Sequence, residues 1–290
     1  MKNNRPILIV GLHRSGTTWL AKMLSLPKKI KYISEPFNPN TGLKAFTEWM
    51  VYINKNNEDK YLKEIKKLFK FKGNLHFTIP NTKYLLSRFA LGEKRILMKG
   101  IGGAVFSIPW LRDKFDMQIV AIMRHPVAFY SSLKRLNWRF DFNNLLKQDD
   151  LMRDYLEPFR EMIQKKDMSY PEEAAVLWLC VNYVLDKYIK ENPDCIFVRH
   201  EDLASSPVEE FEKMYGKLGL EFTDSIKKQI EKFSNSDNKV EASGNKAVEL
   251  KRNSQAIIKS WKKHISEDEI KIIKDITWPI SSKYYPDSEW

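Results

Sequence analysis

The chain has 290 residues and a formal net charge of +12, with 49 Lys and Arg against 37 Asp and Glu. That length suffices for one domain with a sizeable core, and the basic excess points to anionic partners such as a nucleotide, nucleic acid or a membrane surface. Cys180 and Cys195 have no metal-ligand spacing and read as reduced core residues, while no run approaches the ~20 apolar residues of a membrane span, so disulfide-framework and membrane-spanning classes are excluded.

In chain order, Ile7–Val10 is a short apolar run with the look of a buried strand. It leaves no room for a signal peptide, so a cytoplasmic protein is expected. Similar runs recur at Lys31–Ser34, Ile96–Lys99, Gln118–Met123 and Cys195–Arg199. Helical patterns separate most of them, at Thr17–Leu26, Thr82–Ala90, Val105–Phe115, Ala128–Leu136 and Glu172–Glu191. Strands alternating with helices predict an α/β fold with a central parallel sheet flanked by helices in three layers, ligands sitting beyond the carboxyl ends of the strands. After Arg199 the pattern is helical at Pro207–Leu218 and Thr223–Phe233, aperiodic and polar from Ser234 to Arg252, then helical at Ser254–His264 and Glu267–Ile276. With no internal repeat and no low-complexity linker, a single domain over 1–290 is expected.

The first strand runs into Gly11-Leu-His-Arg-Ser-Gly-Thr-Thr18. Two glycines permit a tight turn whose amides point inward, and Thr17 and Thr18 open a helix whose free N–H groups favour an anion, giving the outline of a P-loop-type phosphate site. The lysine of a nucleotide triphosphatase is missing, with Thr17 in its place, and "QIVAIMRH" ends in Arg124 instead of an acid that would help hold magnesium. A metal-dependent phosphoryl transferase is therefore disfavoured. Arg124 ends the next strand, Pro126 suits the first helical position, and Ser132 follows two turns into that helix, with Ala128 leaving space on the same face. A guanidinium in that place suits a terminal phosphate, to which it donates two hydrogen bonds.

These two stretches resemble the sulfotransferases that use 3′-phosphoadenosine 5′-phosphosulfate (PAPS). In that family a lysine or arginine precedes a Ser-Gly-Thr-Thr run in the 5′-phosphosulfate loop. Arg14 matches that cation, and Ser15, Gly16, Thr17, Thr18 and Trp19 continue the pattern. Arg124, Pro126 and Ser132 resemble the family's 3′-phosphate motif. The late segment "KRNSQAIIKSWKKHIS" resembles one in the carbohydrate branch where a basic loop closes over the nucleotide, implying contacts from Arg252 and Ser254. The Arg-Lys-Gly triplet of the cytosolic branch is absent. The resemblance runs from about residue 6 to 276 and implies PAPS as co-substrate, PAP as product, no metal and an acceptor hydroxyl.

That hydroxyl must lose a proton as the sulfur–oxygen bond forms. Glu35 lies just past the second strand, at the ligand edge of the sheet, and Glu35-Pro36 resembles the setting of a glutamate in the Golgi carbohydrate and tyrosylprotein branches. Glu35 is thus the expected base and Arg14 the expected stabiliser of the leaving phosphate. His13, inside the loop where an anion would favour its protonation, and His125, beside Arg124, are its competitors. His200, Glu201 and Asp202 in "IFVRHEDL" are expected to brace the loops, and Lys99 is either near the ligands or a snorkelling surface lysine. Trp49, Trp138, Phe140 and Phe142 fall in segments that either line an acceptor cleft or pack. A carbohydrate or glycolipid acceptor is favoured, with no nucleic-acid partner. Two other readings remain open: a P-loop kinase or NTPase acting on a small substrate, and a nonenzymatic nucleotide or nucleic-acid binder.

Overall fold

Every residue of β1 (Ile7–Val10), β2 (Ile30–Ser34), β4 (Arg95–Lys99) and β5 (Gln118–Met123) is buried, as expected of parallel strands covered on both faces. The computed structural model describes residues 4–70, 75–76, 95–100, 103–240 and 249–290. With β3 (Leu75–His76) and β6 (Ile196–Arg199), these strands form a six-stranded parallel sheet in the order β3-β2-β4-β1-β5-β6. From β1 the chain passes over β4 to reach β2, and from β4 it passes over β1 to reach β5. The strand order therefore reverses at β1, which places a topological switch point at that strand's carboxyl end.

Strand periodicity sorts the core into two layers. Leu8, Val10, Met98, Ala121 and Met123 face one cluster, whereas Ile7, Ile9, Leu97, Val120 and Ile122 face the other. Against the first pack α3 (Gly103–Phe106), α4 (Ile108–Phe115), α5 (Pro126–Leu136) and later the long α9 (Tyr170–Glu191) and α14 (Glu267–Ser281). Against the second pack α1 (Thr17–Leu24), α11 (Pro207–Leu218) and α12 (Asp224–Ser234). Helix–sheet–helix layering results, as the alternating pattern predicts. Among the described residues no helix is long and apolar enough to cross a membrane.

Several expected elements differ in their bounds. The helix read over Val105–Phe115 is broken at Ser107 into α3 and α4, because Pro109 lacks an N–H and its ring crowds the carbonyl of Val105. Ser254–His264 is a short α13 (Ser254–Ile257) followed by a 3₁₀ turn at Ser260–Lys263, and the tighter winding carries buried Trp261 onto the His125 ring. The capping box of Ser169 and Glu172 starts α9 two residues earlier than its apolar stripe suggests. The pattern read at Thr82–Ala90 lies outside the described residues. Further helices are α2 (Asp59–Lys70), α6 (Asn143–Leu146), α7 (Asp149–Leu151), α8 (Arg160–Gln164) and α10 (His200–Ser205). In α2 the buried stripe Tyr61, Ile65, Leu68 is diluted by five lysines, so its apolar period does not stand out in the sequence.

Candidate functional site

The loop after β1 meets helix α1 at Gly16, whose φ of 93° belongs to the left-handed region. A Cβ there would also stand 2.6 Å from the His200 ring, so only glycine fits. No side chain caps α1, leaving its leading N–H groups available to an anion. Among the described residues five non-glycine residues have positive φ. Asp116 and Asn137 are helix C-caps, where this is ordinary; Arg14 (64°), Glu35 (55°) and the buried Met50 (59°) are not, and the first two stand at the strand ends that carry the site motifs.

Two hydrogen bonds interlock the arginine motifs. Arg14 Nε donates to Ser132 Oγ on α5 at 2.9 Å, and Arg124 Nη1 donates to the Arg14 carbonyl at 2.9 Å. Burial, reinforced by Arg124, Arg135 and Arg252, lowers the Arg14 guanidinium to about 9. Burial also lowers the pKa of Arg124, with Glu201 opposing the shift. Arg124 Nε and Trp19 Nε1 are buried donors that find no hydrogen-bond partner among the described residues. A buried N–H left unmatched is costly, so both are suited to a ligand's acceptors.

Arg14, Arg124 and Arg252 stand between two adjoining clefts. One is walled by Gly16, Thr17, Thr18, Trp19, His200 and Phe233, the other by Ala128, Ser132, Arg135, Trp261 and His264. The structure thus brings together Arg14, Gly16, Thr17, Thr18, Trp19, Arg124, Ser132 and Arg252. Ser15 is buried and lines neither cleft. Ser254 lines the first cleft, but its hydroxyl is turned to backbone, donating to the Ala204 carbonyl at 2.7 Å.

Glu35 sits two strands away along the same rim. Its amide donates to the Lys99 carbonyl at 2.9 Å, and its Oε1 lies 2.6 Å from Lys99 Nζ. Asn38 Nδ2 donates to Oε2 at 3.2 Å, and Lys99 Nζ also donates to Thr18 Oγ1 at 2.8 Å. Lys99 is 1% exposed and Glu35 8%, so this is a buried ion pair tied directly to the mouth of the loop helix. Burial lowers the Lys99 pKa and Glu35 counters it. The snorkelling alternative for Lys99 is thereby corrected: strand register sets it between Ile9 of β1 and Ser34 of β2, under the rim. Its position at the end of "ILMK", on a strand bordering the loop strand, is the signal that could have placed it among the site residues.

His13 and His125 are held neutral. Burial and neighbouring Arg14 push His13 down to about 4. His125 is pushed to about 3 by burial and nearby cations, and it stacks on Trp261 at 5.2 Å between ring centroids. The acidic stretch braces the rim as expected: Glu201 Oε1 accepts from the His125 amide at 3.1 Å and Oε2 from the Tyr285 hydroxyl at 3.2 Å, while Arg199 pairs with Asp202 and Glu289. Among the described residues no three His, Cys, Asp or Glu side chains gather closely enough to hold a metal ion. Of the four aromatics read as lining or packing, Phe142 is buried, Trp49 and Phe140 are half-buried, and Trp138 is exposed.

A family model described as "Sulfotransferase family" matches residues 6–224. No curated protein matches the sequence. Among solved structures, mouse sulfotransferase SULT7A1 complexed with PAP is 16% identical, with 99% of this chain and 86% of that chain covered and a TM-score of 0.50, which shows a shared fold. The sulfotransferase domain from the curacin biosynthetic pathway is 12% identical over 93% of this chain and 96% of that one, with a TM-score of 0.48. The sulfotransferase domain of the Synechococcus PCC 7002 olefin synthase is 16% identical over 95% of each chain, with a TM-score of 0.46.

Proposed function

The chain belongs to the sulfotransferase family, and on that premise we propose that it works as a single domain, moving a sulfuryl group from PAPS to an acceptor hydroxyl, a carbohydrate or glycolipid being favoured. The observation carrying this reading is the interlock of Arg14, Arg124 and Ser132 at one rim of the sheet, with two clefts meeting at the arginines. Two separated anion-binding ends suit a nucleotide phosphorylated on both its 5′ and 3′ sides. The residues fit that ligand chemically: guanidinium groups crowd together and the Arg124 Nε donor is buried and unmatched. Arg124, Ser132 and Arg252 take the 3′-phosphate. Gly16, Thr17 and Thr18 cradle the 5′ end, and Trp19 and Phe233 offer aromatic walls to the base.

Glu35 takes the acceptor proton. Lys99 holds its carboxylate at the loop, and Asn38 steadies the second oxygen, so the base is oriented before substrate arrives. Arg14 stabilises charge growing on the departing phosphate, where a desolvated cation acts more strongly than one in water. Catalysis then rests on positioning and electrostatics, as in phosphoryl transfer.

Calorimetry with PAP, set against ATP and magnesium, tests the nucleotide reading; preference for ATP with magnesium returns the kinase alternative. Following labelled sulfate from PAPS onto candidate acceptors by mass spectrometry tests the reaction. A Glu35→Gln enzyme with near-full turnover removes Glu35 as the base.

A further inference from the structure

Trp138 is 43% exposed, one of two large exposed apolar side chains among the described residues, yet its backbone is tightly pinned. Asn137 closes α5 in the left-handed conformation (φ 51°); the Trp138 amide donates to the Leu133 carbonyl and the Asn137 amide to that of Lys134, both at 3.2 Å. This is the Schellman arrangement, which fixes the direction in which the chain leaves the helix. From the other side, Tyr170 Oη donates to the Trp138 carbonyl at 2.7 Å. These bonds fix the point from which the indole leaves the backbone, and the ring meets the Arg14 guanidinium, so less remains to be ordered on binding than for a side chain on a free loop.

Its position gives that surface a purpose. The Arg14 guanidinium carbon lies 5.6 Å from the ring centroid, so the indole borders the cation assigned to the transfer. Trp138 nevertheless lines neither of the two clefts assigned to the nucleotide. The chain leaving Glu35 and the chain leaving Trp138 converge further out: the Trp49 amide donates to Asn144 Oδ1 at 3.0 Å and the Tyr52 amide to Gln148 Oε1 at 2.7 Å. These two joined walls start from the proposed base and from the exposed indole.

We propose that the open face of Trp138 is the platform on which a sugar ring of the acceptor rests while its hydroxyl is sulfated. This rests on the sulfuryl-transfer reading above and narrows its acceptor. A steroid-like or lipid acceptor needs an enclosing apolar pocket. A platform that leaves its guest half in water suits a ring with one apolar face and a wet rim of hydroxyls, and the amphipathic indole matches it.

The test is an array of mono- and oligosaccharides, phenols and aliphatic alcohols, incubated with the full-length protein and labelled PAPS, followed by kinetics on the best sugar. Label on sugars, with Trp138→Ala raising the sugar KM about tenfold while PAP affinity holds and Trp138→Phe recovers most of the loss, is the expected result. Label on phenols or aliphatic alcohols alone, or no label at all from a protein that binds PAP, overturns the platform. So does an unchanged sugar KM in Trp138→Ala, or a fall in kcat alone, which would mean that the indole acts only through Arg14. Failure of the wild-type protein to bind PAP overturns the underlying reading instead.

Discussion

Two stretches of one sheet rim handle buried charge in opposite ways. At β1 and β5 the cations accumulate: Arg14 is depressed by its own burial and then by Arg124, Arg135 and Arg252. At β2 and β4 a cation is cancelled: Lys99 and Glu35 form a 2.6 Å pair almost out of contact with solvent. The first arrangement is unfavourable until an anion arrives, and so stores affinity for one. The second is already satisfied and gains nothing from an anion, but it holds a carboxylate still in one orientation beside the loop. The proposed binding and proton-transfer roles ask for these two different electrostatic environments, and the sheet sets them two strands apart.

Removing the central cation should break the contrast most severely. Arg14→Ala is expected to lower turnover roughly 10²–10³-fold at saturating PAPS, measured by steady-state sulfate transfer, because the lost group acts where charge develops. Glu35→Gln is expected to cost roughly 10²-fold or more in kcat with PAP affinity little changed, the cost of losing a general base. If PAP affinity collapses as well, the two stretches are not separable.

Lys99→Met sharpens the comparison through stability. Stranding a buried carboxylate should destabilise the protein by about 3–5 kcal/mol in urea unfolding. The Glu35→Gln, Lys99→Met double variant should recover most of that loss without recovering turnover, because a neutral pair no longer strands a charge.

Arg124→Ala is expected to weaken PAP binding by about 10- to 100-fold, the worth of one or two charge-assisted hydrogen bonds, read by calorimetry. The smallest effect concerns pH. The Arg14 guanidinium, lowered to about 9, is protonated below that value and attracts phosphate; above it the cation is lost. PAP affinity should therefore be level through neutral pH and fall as pH rises past about 9. Affinity that instead rises above 9 would contradict the cation-rich description.

The phosphate motifs were legible because each is local. Gly16 must be glycine for a left-handed turn against His200, and the spacing of Arg124 and Ser132 follows from a strand end and two turns of one helix. Five strands were found within one residue of their bounds, since parallel core strands are short, uniformly apolar runs. The two-residue strand β3 was not, being too short to carry a period, and lysine-rich α2 hid its apolar stripe among charges.

By itself, then, the order of residues determined the strand–helix alternation, the anion loop, the second arginine motif and the placement of Glu35 at the sheet's ligand edge, all features written within a dozen neighbouring residues. Only the tertiary structure decided that Lys99 is the partner of Glu35, that His13 and His125 are held neutral, that the Ser254 hydroxyl is turned to backbone, and that Trp138 stands open beside Arg14. Each of those depends on which residues distant in the chain remove a side chain from water or meet it there. Burial and pairing of that kind are set by sheet register and helix packing, not by the identity of the residues on either side.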